Sequence, residues 1–211
     1  MRVSVLPRRR RGCCLAFEKV YDRDMGDVDR RSDEELVDVC NVGDADSAAA
    51  AFEALYRRHR DFVLRVARRF TGDRELALDA LQDTFAYLLR KFPPAGDGLH
   101  LKAKLETLLY PVAKNSAITA RRKAARLSGA GDAELEELPA APEPQSESLD
   151  AALAKLSPER REVLTLRFVD DLSLAEIAAA LQVPLGTVKS RLHLAIKDLR
   201  EDPRTKEFFG P

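Results

Sequence analysis

Between positions 128 and 148 the chain reads SGAGDAELEELPAAPEPQSES, with six carboxylates, three prolines and no cation. Prolines withhold backbone donors, and like charges repel one another. A stretch of this composition cannot bury a face of its own and favours a solvated, extended tether. Whatever folds must therefore fold on either side of it, as two separate units. The overall net charge of zero conceals this segregation, because Lys114, Arg121, Arg122, Lys123 and Arg126 stand just upstream with no carboxylate among them.

On the N-terminal side the apolar residues recur at helical spacing. Ser32 and Glu35 form an S-x-x-E capping box ahead of a short helix reaching about Gly43, with Asp33 and Glu34 adding charge to its first turn. A long helix is predicted from about Ser47 to Phe70. Phe52, Leu55, Tyr56, His59, Phe62, Val63, Val66, Ala67 and Phe70 fall on one stripe of it, and its arginines lie mostly outside. His59 lies within the stripe and is expected as a packed histidine. The next helix, Arg74 to Lys91, is expected to bury Leu78, Leu81, Phe85, Leu88 and Leu89, leaving Asp79, Gln82, Asp83 and Arg90 on another side. Phe92–Gly98 is a break. Helical pattern resumes near Leu101 with Leu105, Leu108, Leu109, Val112 and Ala113, and Pro111 within it is expected to kink or split the helix.

Beyond the tether, Leu149, Leu153 and Leu156 make an apolar stripe, and Ser157-Pro158-Glu159 starts a new helix with Ser as cap and Pro at its first position. Val163, Leu164, Leu166 and Phe168 supply the hydrophobic face. Then SLAEIAAALQVPLGTVKSRLHLAIKDL, Ser173 to Leu199, reads as two helices about a tight turn. A second capping box, Ser173 with Glu176, opens the first, and Pro184 and Gly186 punctuate the connection. Val188, Leu192, Ala195, Ile196 and Leu199 form one side of the second helix. At about 100° per residue, Gly186, Ser190, His193 and Lys197 lie opposite, with Thr187 and Lys189 flanking and Arg191 nearer the buried edge. Hydroxyls and cations on an exposed helix face, behind a small first-turn residue, suit a DNA major groove.

No strand alternation of useful length occurs, so the chain reads as all-α. The domains expected are a disordered N-terminal extension (1–24), a helical bundle (25–126), the acidic linker (127–148), a helix-turn-helix domain (149–202) and a C-terminal tail (203–211). Met25 precedes the onset of helical patterning and is expected as the natural start. With 45% hydrophobic residues the chain can bury a core, yet no apolar run approaches the roughly 18 residues of a membrane span. The N-terminal arginines precede no apolar segment of a secretory signal, so the cytoplasm is expected. Cys13, Cys14 and Cys40 have no histidine spacing around them that reads as a metal site. Phosphate-binding loops, nucleophile elbows and zinc-protease pairs are absent from the sequence, so neither a catalytic residue, a metal nor a cofactor is expected.

Taken together, the two units resemble bacterial RNA polymerase sigma factors of the extracytoplasmic-function type, over about Asp33 to Glu201. The C-terminal LSPERREVLTLRFVDDLSLAEIAAALQVPLGTVKSRLHLAIKDLRE is similar to sigma region 4. AFEALYRRHRDFVLRVARRFTGDRELALDALQDTFAYLLRKF, with D-x-x-Q-D-x-F at Asp79, Gln82, Asp83 and Phe85, is similar to region 2. The resemblance implies that Asp79, Gln82 and Asp83 dock core RNA polymerase. It implies that Lys114, Asn115, Arg121 and Arg122 meet the −10 element and its opened strand. Thr187, Lys189, Ser190, Arg191, His193 and Lys197 would read or position the −35 element of promoter DNA, with the linker spanning the two. An anti-sigma factor is a further partner such proteins often have. The chain departs from the family pattern at Leu108, where Trp is usual, at Pro111, at Thr119 in place of Asp, and at Leu194 in place of Arg. Two other readings stay open: a helix-turn-helix regulator that works without polymerase, and a sigma-like interaction protein without promoter function.

Overall fold

The computed structural model describes residues 30–128, 152–203 and 205, and every regular element among them is an α-helix. The expectations for the N-terminal extension, Met25, the acidic linker beyond Ser128 and Leu149 fall outside these residues. Four helices make the N-terminal unit: α1 (Asp33–Val42), α2 (Ala45–Thr71), α3 (Arg74–Leu89) and α4 (Leu105–Leu127). The C-terminal unit contains α5 (Pro158–Phe168), α6 (Leu174–Leu181) and α7 (Leu185–Glu201), and residues 152–154 ahead of them are also helical.

Local chemistry sets most of the boundaries. The Ser32 hydroxyl accepts the Glu35 N–H while the Glu35 carboxylate accepts the Ser32 N–H, completing the capping box at α1. α2 begins slightly before the expected Ser47, because Asp44 takes the N-cap and accepts from the N–H groups of Asp46 and Ser47. It ends at Gly72, which adopts the left-handed conformation (φ 66°) that a residue with a Cβ resists. Asp73 then caps α3. At α5, Ser157 holds the N-cap position and Pro158 the first turn, but the Ser157 hydroxyl caps no backbone N–H.

The core of the N-terminal unit follows the α2 stripe: Leu55, His59, Phe62, Val63, Val66, Ala67 and Phe70 are all buried. Phe52 and Tyr56 add edge-to-face contacts with Phe85 at 6.4 and 4.7 Å between ring centroids. On α3 the buried side runs through Ala77, Leu81, Thr84, Phe85 and Leu88, whereas Leu78 is 39% and Leu89 54% exposed. The expected burial of those two leucines is therefore wrong. Each lies more than 70° around the helix from the middle of the buried face, so their apolar character alone does not place them inside.

α4 starts at Leu105 rather than near Leu101. Asn41 in α1 donates to the Leu99 carbonyl (2.7 Å) and accepts its N–H (2.8 Å), holding the segment before α4 in non-helical form. Pro111 does not split α4, which runs on as a single helix to Leu127. Leu109, Tyr110 and Ala113 are buried on either side of it, and that packing outweighs the lost N–H bond.

The two units are not separate in space. Val163, Leu166, Leu172, Ile177, Ala180 and Val188 belong to the same buried cluster as the N-terminal core, with α6 packed on α4. Polar bridges flank this contact. Asp170, whose side chain is fully buried, accepts both Nη atoms of Arg69 at 2.6 and 2.9 Å, with Arg65 at 3.6 Å. Glu162 accepts from the Tyr110 hydroxyl and from Lys114 Nζ. A smaller cluster, Ala152, Leu156, Ala195 and Leu199, closes the C-terminal unit on its other side. There Arg161 donates to the carbonyls of Leu153, Ala154 and Leu156.

Candidate nucleic-acid and polymerase interfaces

α6 and α7 make the helix-turn-helix. The Ser173–Glu176 capping box opens α6, with bonds of 3.2 and 2.8 Å. The turn is made by Gln182 in the left-handed region (φ 55°), whose N–H returns to α6, followed by Pro184 at the N-cap of α7. Gly186 was expected to punctuate this connection, yet it lies inside the first turn of α7, where an added Cβ would meet nothing within 4 Å. Its contribution is open space on the outer surface, room for a ligand backbone to come close.

Val188, Ala195 and Leu199 bury the inner side of α7, with Leu192 and Ile196 half-buried. Gly186, Lys189, Ser190, His193 and Lys197 are exposed, while Thr187, Arg191 and Leu194 are half-buried. The six residues expected at the −35 element thus lie on one continuous outer surface with its rim. Lys197 sits 3.8 Å from Glu201, one turn on.

Asp79, Gln82 and Asp83 are all exposed on α3. They line a groove between α3 and the end of α4, closed on its far side by Thr119, Lys123 and Leu127. Leu78 and Leu89 fall on the same outer half of α3 as Gln82, so the polar residues are flanked by exposed apolar ones.

The four residues expected at the −10 element divide into two sets. Asn115 and Arg122, two turns apart, are exposed. Asn115 shares a cleft of about 650 Å3 with Asp83, Tyr87, Pro111 and Thr119, and Gln182 of the C-terminal unit lines it too. Lys114 and Arg121 point another way. Lys114 pairs with Glu162 and sits 5.1 Å above the Phe70 ring, and Arg121 donates to the Phe70 carbonyl. Sequence reading did not single out Arg69, Tyr110, Glu162 or Asp170 as partners, and no local signal could have paired them, since they lie 48 to 101 positions apart.

Among the described residues, one cluster has the donor types of a metal centre. Asp33, His59 and Glu106 place ligand atoms within 4.8 Å of one another. The imidazole, however, presents a different nitrogen to each acid: Nε2 lies 2.8 Å from Asp33, and Nδ1 lies 3.4 Å from Glu106. Arg58 also pairs with Asp33. This is an ion-pair network in which protonated His59 donates both ways. Burial alone would lower the His59 pKa, but the two carboxylates overcome that and raise it to about 9.

Family models for sigma-70 region 2 and sigma-70 region 4 match residues 55–127 and 146–199. The ECF RNA polymerase sigma factor SigL of Mycobacterium tuberculosis is 34% identical over 165 residues, covering 75% of this chain and 92% of that protein. The chain belongs to the extracytoplasmic-function sigma factors. SigW of Bacillus subtilis, another member, is 28% identical, over 73% of this sigma factor and 89% of its own length. Two solved structures share the fold. The complex of CnrH with the cytosolic domain of CnrY matches with a TM-score of 0.55 at 24% identity, over 79% of this chain and 93% of that one. The sigma factor RpoE bound to the anti-sigma factor NepR, from Bartonella quintana, gives 0.53 at 22%, over 71% and 94%. The family is a regulatory, non-enzymatic one. No described helix of this sigma factor is long and apolar enough to cross a membrane.

Proposed function

We propose that this sigma factor binds core RNA polymerase through the outer surface of α3 and delivers it to promoters carrying a −35 element read by α7 and a −10 element met by α4. The observation that carries the reading is α7 itself. Lys189, Ser190, His193 and Lys197 are exposed on it with Thr187 and Arg191 half-buried at the rim, and Gly186 leaves room at the end where such helices approach base edges. Lys189 and Lys197 suit phosphates, whereas Ser190, Arg191 and His193 are placed for base edges. On α3, Asp79, Gln82 and Asp83 offer hydrogen bonds and charge beside exposed Leu78 and Leu89, the mixed surface of a protein–protein contact. Asn115 and Arg122 are the −10 residues open to solvent here, and Lys114 and Arg121 complete the set once they leave their internal partners.

The protein acts as an initiation factor in the cytoplasm, with no catalytic residue of its own. Its partners are core polymerase, promoter DNA and an anti-sigma factor, the kind of partner present in the structure of the Bartonella relative. Run-off transcription with purified core polymerase tests the whole reading, because promoter-specific initiation requires both surfaces together. Arg191→Ala and Lys197→Ala are each expected to weaken −35 binding, by about 1–3 kcal/mol where a base contact is lost. Unchanged promoter strength in both variants overturns the placement of α7.

A further inference from the structure

The outer surface of α7 is polar with one exception. Lys189, Ser190, His193 and Lys197 are exposed there and Thr187 and Arg191 line the rim, yet Leu194 stands among them, half-buried. It lies about 120° round the helix from the middle of the buried face of Val188, Ala195 and Leu199, and only about 40° from Ser190. Leu192 and Ile196, about 40° and 80° from that middle, complete the inner side without it. Leu194 is therefore an apolar side chain on a polar ridge, with part of its surface left in water.

The helix is not free to roll and hide it. Its three buried residues fix one side, and Arg160 of α5 donates to Asp198 at 2.6 Å, one turn beyond Leu194. Leu194 is thus presented at a set height, between Ser190 one turn before it and Lys197 on the next turn. Thr187 stands on the same ridge two turns earlier. An isobutyl group neither neutralises a phosphate nor hydrogen-bonds a base. In the major groove the 5-methyl of thymine is the base feature that gains from apolar contact. The amino, carbonyl and ring-nitrogen edges of the other bases would lose a water partner against Leu194 and receive nothing in return.

We propose that Leu194 reads the methyl group of a thymine in the −35 element, and so selects thymine at the base pair facing the third turn of α7. Lys197 holds a phosphate beside it, and Ser190 takes a hydrogen-bonding edge of the adjoining base pair. The arginine usual in the family at this position would hold a phosphate instead, so the exchange trades sequence-blind affinity for choice of base. This rests on α7 as the −35 reader and adds the base that the reader demands.

The test uses the full-length protein, whose α7 is open to solvent, and a duplex enriched by it from a pool randomised over about one helical turn. Each thymine of that duplex is replaced singly by uracil, which lacks only the 5-methyl group, and binding is read by fluorescence anisotropy. One replacement is expected to weaken the native protein about fourfold, the effect of leaving one methyl group in water. Leu194→Ala should be indifferent to that same replacement, while any methyl effect owed to Thr187 persists. Leu194→Arg should be equally indifferent, and its log–log salt slope should steepen by about one unit as a further phosphate is engaged.

A native protein that ignores every uracil replacement overturns the proposal without recourse to a variant. So does a methyl effect that survives Leu194→Ala, since it would belong to another side chain. Equal loss on the thymine and uracil duplexes overturns it too, because Leu194 would then serve packing alone. Should Leu194→Ala lose its helical circular dichroism spectrum, the native protein and Leu194→Arg decide by the same outcomes. Arg191→Ala separates this proposal from the reading beneath it. Unchanged binding of the enriched duplex by that variant, or a pool that yields no preferred sequence, removes α7 as the reader and the proposal with it. Weakened binding beside an inert methyl group sinks the role of Leu194 alone.

Discussion

Replacing His59 with glutamine removes the one cation that α2 places between Asp33 and Glu106 while keeping a side chain that can hydrogen-bond. His59 is 2% exposed, and its pKa is raised from 6.5 to about 9. A shift of that size corresponds to about 3 kcal/mol of preference for the protonated form in the folded state. Near pH 6 both folded and unfolded chains carry the proton, and nearly all of that stabilisation is present. As pH rises past 6.5 the unfolded histidine loses its proton while the folded one holds it, so the contribution shrinks, falling below about 1 kcal/mol by pH 9. Asp33 and Glu106 run the other way. Burial raises their pKa values, but their bonds to His59, together with Arg58 for Asp33, leave both lowered, so their contribution is lost only as pH falls below the carboxylate range. Burial pushes the Cys40 thiol up to about 11, a contribution common to both proteins that cancels in their difference. Urea unfolding followed by far-ultraviolet circular dichroism at pH 6, 7.5 and 9 should therefore show the native protein and His59→Gln far apart at pH 6 and converging by pH 9. A gap that stays constant to within about 0.5 kcal/mol over that range refutes the argument, because the loss would then come from packing and not from charge.

Ser173→Ala removes the hydroxyl that accepts the Glu176 N–H and should destabilise the C-terminal unit by about 1 kcal/mol, read as a lowered melting temperature. Gln182→Gly relieves a left-handed backbone and should stabilise by up to about 1 kcal/mol; a loss of stability would show that the Gln182 side chain matters more than its φ. Leu166→Ala, in the cluster shared by both units, should cost about 2–5 kcal/mol in urea unfolding. Asp83→Arg should abolish capture of core polymerase in a pull-down while leaving the helical circular dichroism spectrum native, since the side chain is exposed and none of its bonds supports the fold.

What could be read from the sequence depended on how far apart the deciding residues lie. Both capping boxes are four-residue signals, and both form as written, at Ser32 and at Ser173. The α2 stripe was legible because nine apolar or aromatic positions repeat over five turns. Leu78 and Leu89 were misread because residue type was weighed without helical angle, and their exposure places apolar surface beside Gln82. Pro111 was given its intrinsic helix-breaking character, but Leu109, Tyr110 and Ala113 pack around it. Of the candidate sites, the outer side of α7 was visible as a pattern on one helix. The pairing of Lys114 with Glu162 was not, because Glu162 sits in another unit and nothing near either residue announces the partner. The start of α4 was misjudged for the same reason, since it depends on Asn41, 58 positions before Leu99.

Asn41 gives that last point a wider reach. Its amide holds both backbone groups of Leu99 and so sets where α4 begins, and every residue of α4 inherits its height and rotation from that start. Asn115 and Arg122 are thus aimed from a helix that carries none of the proposed DNA contacts. A selection for altered promoter choice should return substitutions at Asn41 alongside those at the contact residues, and they would look like changes of specificity while altering no DNA contact.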